Sequence, residues 1–95
     1  MDEKNILNKL NLLYKDICEQ IINCEEQRKV HVKYDANEEV WDTFRNEYLK
    51  IHEALTMEYD LLNEEIRNYY DRDSHKIGVL IADCWYVLRR LDETF

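Results

Sequence analysis

Within the ten residues from Arg67 to Lys76 stand Arg67, Tyr69, Tyr70, Arg72, His75 and Lys76, four cationic or protonatable side chains and two flat rings. A helix that starts just after them presents free amides, and amides, cations and rings together hold a phosphate or a nucleotide. Asp71 and Asp73 lie in the same stretch and offset part of that charge, so capping and ion pairing around a tight turn is the plainer reading. Metal chemistry has less to work with. Cys24 with His31, and His52 with Glu53, are candidate pairs, and neither has the grouped C-x2-C or H-x3-H spacing of a tetrahedral zinc site. The carboxylates Glu25 and Glu26, or Glu64 and Glu65, are neighbours that diverge by about 100° on a helix, so they do not converge. Gly78 is the lone glycine, which rules out a glycine-rich phosphate loop. No catalytic residue, metal or cofactor is expected from these residues.

The elements that must position them are helices. One glycine and no proline in 95 residues remove the usual punctuation of strands, turns and bulges. Apolar residues at Ile6, Leu10, Leu13, Ile17, Ile21 and Cys24 predict a first helix over about residues 2–30, its face widened by Leu7 and Tyr14. Val30, Val32 and Tyr34 alternate with His31 and Lys33, a period that predicts fraying there. A second helix over about residues 37–70 carries Trp41, Phe44, Tyr48, Ile51, Leu55, Tyr59, Leu62, Ile66 and Tyr69 in unbroken steps of three or four. Asp35 followed by Glu38, or Asn37, is its start signal. Ser74 or His75 opens a third helix that runs to about residue 93. The expected fold is all-α: a long antiparallel helical hairpin plus a shorter third helix, a coiled-coil-like three-helix bundle forming a single domain over residues 1–95.

At about 1.5 Å per residue the first two helices are roughly 40–50 Å long and the third only about 30 Å. The third cannot cover the whole groove of the hairpin. It is also apolar round most of its circumference, with Ile77, Val79, Leu80, Ile81, Cys84, Trp85, Val87, Leu88 and Leu91 against Lys76, Asp83, Arg89 and Arg90. Such an element wants neighbours on more than one side, so a homo-oligomer, dimer or higher, is expected. Tyr48, Tyr59 and Tyr69 are expected in the core seam, and Tyr70 and Tyr86 at an interface.

The formal net charge is −8. Nine acidic residues between Glu38 and Glu65 face only Arg45 and Lys50, so almost the whole imbalance sits on the second helix. A surface of that sign repels nucleic acid and anionic membrane and attracts a basic protein groove. On the same helix Ala54, Met57 and Leu61 form a stripe nearly opposite the main seam. Glu53, Asp60 and Glu64 flank it on one side, and Glu47, Glu58 and Glu65 on the other. An apolar strip with acidic rims reads as a partner-binding face. The plainer alternatives are scattered surface residues or contact with the third helix. Three cysteines without a C-x-x-C pair, and a charged Met1–Lys9 without an apolar core, point to free thiols in a cytoplasmic protein.

Arg45, Asn46 and His52 read R-N-x5-H, and seven residues on a helix return to the same face. This element resembles the R-x4-6-H element of HEPN ribonucleases, small all-helical proteins that dimerise to bring two such motifs together. The resemblance implies that Arg45 binds the scissile phosphate and His52 acts as acid or base. It covers only these residues, and the acidic helix around them would repel RNA. The expectation is therefore a non-enzymatic binding protein of the inhibitor, immunity or antitoxin type, such as phages and mobile elements encode, that acts on a protein partner. Its alternative is an oligomeric protein that sequesters a nucleotide or other phosphorylated ligand at the Arg67–Lys76 turn.

Overall fold

Three α-helices follow one another in the computed structural model, which describes residues 3–71 and 73–95: α1 (Glu3–Lys33), α2 (Glu38–Tyr69) and α3 (His75–Thr94). No strand occurs among the described residues. The apolar spacing of α1 is met in full, because Ile6, Leu10, Leu13, Ile17, Ile21 and Cys24 are all buried. Burying side chains of this size is worth about 1.5–3 kcal/mol each, and this stripe supplies the largest share of the buried core of any helix. From α3, Ile77, Cys84, Val87, Leu88 and Leu91 meet it. Only Phe44, Tyr48 and Ile66 of α2 are fully buried, while Trp41, Ile51, Leu55, Tyr59 and Leu62 pack half-buried against the core. The tightest pair is thus α1 with α3, and α2 lies more loosely across both.

The direction of each helix follows from its end contacts. The Lys9 ammonium meets the Glu65 carboxylate at 2.9 Å, joining the start of α1 to the end of α2, so those helices are antiparallel. Ser74 donates from its hydroxyl to Glu3, the Cys84 thiol donates to the Leu10 carbonyl at 3.4 Å, and Arg28 Nη1 donates to the Thr94 carbonyl at 2.6 Å. Starts meet starts and ends meet ends, so α3 runs parallel to α1. The bundle goes up, down and up over a longest dimension of 51 Å.

Helix α1 departs from the sequence expectation at its end. It does not fray at Val30 but stays helical to Lys33. Two causes hold it. The His31 ring packs edge-on against Trp41 and Phe44, with centroids 5.4 Å from each. The last turn closes in a Schellman motif, Ala36 N–H to the His31 carbonyl at 2.9 Å and Asp35 N–H to the Val32 carbonyl at 3.2 Å. Asp35 takes the left-handed position this motif needs, with φ of 52°. Asp35 therefore ends α1, and it is Asn37 that opens α2, its side-chain Oδ1 accepting from Val40 N–H at 3.0 Å.

Where α3 runs out, rings take over. Phe44 stacks on Tyr48 at 5.0 Å, Tyr48 reaches the Phe95 ring at 6.3 Å, and Phe95 in turn meets His52 at 6.1 Å. Arg28 meanwhile caps the free carbonyl end of α3, where a cation also suits the helix dipole. The seam of α2 likewise ends earlier than its period predicts. Ile66 is its last buried residue, Tyr69 is exposed, and it is Tyr70, after the helix, whose ring packs on the core. Tyr70 is thus core-facing and not an outward interface residue.

All three thiols are free, Cys24 and Cys84 buried and Cys18 half-buried. Burial pushes the Cys84 thiol up from its ordinary 9.0 to about 11, and raises Cys24 as well. An unfolded Cys84 ionises first, so its contribution to stability is complete below pH 9.0 and drains away as pH rises towards about 11. Urea midpoints taken at about pH 8 and about pH 10.5 should fall between the two for the wild type, and fall less for Cys84→Ala. At the other special position, Asp35→Gly removes the left-handed penalty and should stabilise by about 0.5–1 kcal/mol. A thermal melt followed by circular dichroism should show the midpoint rising by roughly 2–8 °C.

Candidate functional site

The stripe on α2 is not covered by α3. Met57 is 66 % and Leu61 64 % exposed, and Ala54 is exposed with them. Contact with the third helix is therefore excluded as the reason for their apolar character. The antiparallel register extends the strip onto α1. Leu12 lies one turn beyond Lys9 on α1, and Leu61 one turn before Glu65 on α2, so both stand on the same side of the Lys9–Glu65 bridge. Leu12 is 62 % exposed. The candidate site is thus a face of two helices: Leu12 on one, Ala54, Met57 and Leu61 on the other.

Its charges divide by position. Glu53, Glu58, Asp60 and Glu64 are exposed, and none of them forms an ion pair among the described residues. Glu65 is half-buried and held by Lys9, which neutralises it locally, so it frames the strip without offering a free charge. Glu47 lines grooves between α1 and α2 beside Gln27 and Tyr48. Asp60 lies towards α3, in a groove of about 370 Å3 shared with Thr56, Trp85 and Arg89. Trp85 is itself half-exposed there, its ring 5.6 Å from the Arg89 guanidinium.

The turn between α2 and α3 is built from its own carboxylates. Asp71 Oδ1 accepts from Asp73 N–H at 2.9 Å, and the Asp71 carbonyl accepts from Ser74 N–H at 3.2 Å. Ser74 is the N-cap of α3, yet its hydroxyl makes no bond to the helix amides and donates to the Glu3 carboxylate instead. A carboxylate of α1 therefore already stands at the positive end of α3. Arg67, Tyr69, His75 and Lys76 are exposed, Tyr70 is half-buried beside Glu3 and Ile77, and Arg72 lies outside the described residues. Among the described residues the groove at the turn is lined by Glu3, Tyr69, Tyr70, Asp71, Ser74 and Ile77, and Arg67, His75 and Lys76 are not on its walls.

Arg45 and His52 each have a partner within the chain. Arg45 is exposed and pairs with Asp42 one turn earlier on α2. His52 is half-buried, its Nε2 3.1 Å from the Leu88 carbonyl and its ring against Phe95. As a donor to that carbonyl the ring links α2 to α3. No group of three or more metal-ligating side chains comes together among the described residues, and no helix there is long and apolar enough to cross a membrane. No protein-family model matches the chain, and neither the curated proteins nor the solved structures contain a match.

An exposed strip that packs on nothing should be replaceable without loss of fold. Met57→Ser and Leu61→Ser should each change the unfolding free energy by less than about 0.5 kcal/mol. Ile66→Ala, at a fully buried site on the same helix, should cost about 2–5 kcal/mol by urea titration.

Proposed function

We propose that the protein is a non-enzymatic, cytoplasmic binding module that captures a basic protein partner on its α1–α2 face, in the manner of an inhibitor, immunity or antitoxin protein. The supporting observation is the strip itself: Leu12, Met57 and Leu61 are each more than half exposed and are bordered by the unpaired carboxylates of Glu53, Glu58 and Glu64. Burying what remains exposed of these three side chains supplies about 3–6 kcal/mol gross. That is of the same order as the cost of associating two molecules. Apolar contact alone is therefore insufficient, and the acidic rim supplies the selection and the steering, with the salt dependence that implies. A partner with an apolar ridge between lysines or arginines fits this face, including a protein whose groove ordinarily takes nucleic acid. The Glu3 carboxylate at the start of α3 favours this reading over a phosphorylated ligand at the α2–α3 turn.

Affinity capture tests it. Wild-type protein should retain a basic partner at low salt, and Glu58→Lys/Glu64→Lys should reduce the retained amount by at least tenfold while keeping the same helical circular dichroism. Retention that is equal in both, or no partner at all, contradicts the proposal.

A further inference from the structure

The chain that is acidic over α2 is basic at the end of α1. From Arg28 to Tyr34 it reads Arg, Lys, Val, His, Val, Lys, Tyr, with no carboxylate. Arg28 marks where α3 stops, because it donates to the Thr94 carbonyl. Glu25, Arg28, Lys29, Val32 and Lys33, all on α1, line a shallow, open groove of about 440 Å3 whose far end lies in the turns past that point. Val32 is exposed among them, and the aliphatic stems of the lysines extend the apolar surface. Neither Lys29 nor Lys33 forms an ion pair among the described residues; Lys33 lies 5.6 Å from the Tyr34 ring. The groove's one carboxylate, Glu25, lies on the α3 side of its basic residues in sequence order.

We infer that this basic groove docks α2 of a second copy, Met57 and Leu61 lying along Val32 and the lysine stems while Glu64, on one rim of the strip, meets Lys29 and Lys33. The inference rests on the Met57 strip being a docking surface, and adds its occupant. Complementarity carries it: the two surfaces are opposite in charge, alike in having an exposed apolar centre, and neither is satisfied within its own chain. A contact about two turns long buries less than the ~800 Å2 per partner of a standard interface. Self-association is consequently concentration-dependent and salt-sensitive, and it competes with a basic partner for the same strip. One groove meets one strip, so a head-to-tail assembly keeps one free groove at one end and one free strip at the other.

Light scattering on the full chain with paired charge reversals tests this. At about 0.05 M salt the wild-type mass should rise with concentration above the 11.7 kDa of one chain, and return to it at about 0.5 M salt. Lys29→Glu/Lys33→Glu and Glu58→Lys/Glu64→Lys should each stay at one chain's mass with unchanged helicity. Mixing the two variants should restore association, because each then offers the complement of the other. A wild type that stays at one chain's mass, a groove variant that associates like the wild type, or a mixture that does not associate overturns the inference. The groove variant keeps its Met57 strip, so its capture of the basic partner should be undiminished. Loss of association with capture retained separates failure of self-docking from failure of the binding function.

Discussion

A helix of 20 residues lies against a pair of 31 and 32 residues, and this mismatch in length organises the rest of the molecule. Along the shared length, α1 and α3 bury their apolar stripes against one another as a tight parallel pair. Beyond it there is no third helix to supply side chains. The gap is met by Phe44, Tyr48 and Phe95 packing ring to ring, with His31 and Trp41 continuing the series and Arg28 closing the carbonyl end of α3. Aromatic rings suit that role because each brings a large area with few rotatable bonds. Helix α2 lies more loosely across the α1–α3 pair and has only three fully buried residues in 32.

Because α2 lies proud of the α1–α3 pair, its outer side is where surface chemistry concentrates. Nine acidic residues stand on α2 against only three Lys and Arg, and Arg28, Lys29 and Lys33 cluster at the end of α1. Charges held apart in this way repel within each patch, and the fold gains nothing from keeping the sets unpaired. On the proposed function, this arrangement serves contact with another molecule. The groove lies at the end of α1 that α3 does not reach, whereas the strip lies on the side of α2 turned away from the core.

Much of this was legible in the sequence, since three- and four-residue spacing needs no partner to be read. The stripe of α1, the three helices, the short α3 and the exposed position of Ala54, Met57 and Leu61 all follow from periodicity and from helix rise. What was not legible depends on register between helices. Leu12 lies alone on the polar side of α1 by its own spacing, and joins the strip only once Lys9 and Glu65 set which turns face each other. Val30 to Tyr34 read as a strand-like alternation because Val and Tyr favour extended backbone, and the aromatic packing of His31 overrides that local preference. Ser74 has the composition of an N-cap, but Glu3, 71 residues away, takes its hydroxyl. Tyr69 fits the seam by period, yet lies beyond the last turn that the neighbouring helices cover.

A lone copy of this chain leaves its strip open to water, and hydroxyl-radical footprinting of the dilute protein at high salt measures that directly. Met57, Leu61 and Leu12 should be labelled at rates close to those in urea, while Ile66, Ile77 and Leu91 are strongly protected. Labelling of Met57 and Leu61 as slow as that of Ile66 would mean that the bundle covers its own strip, and the docking surface would not exist.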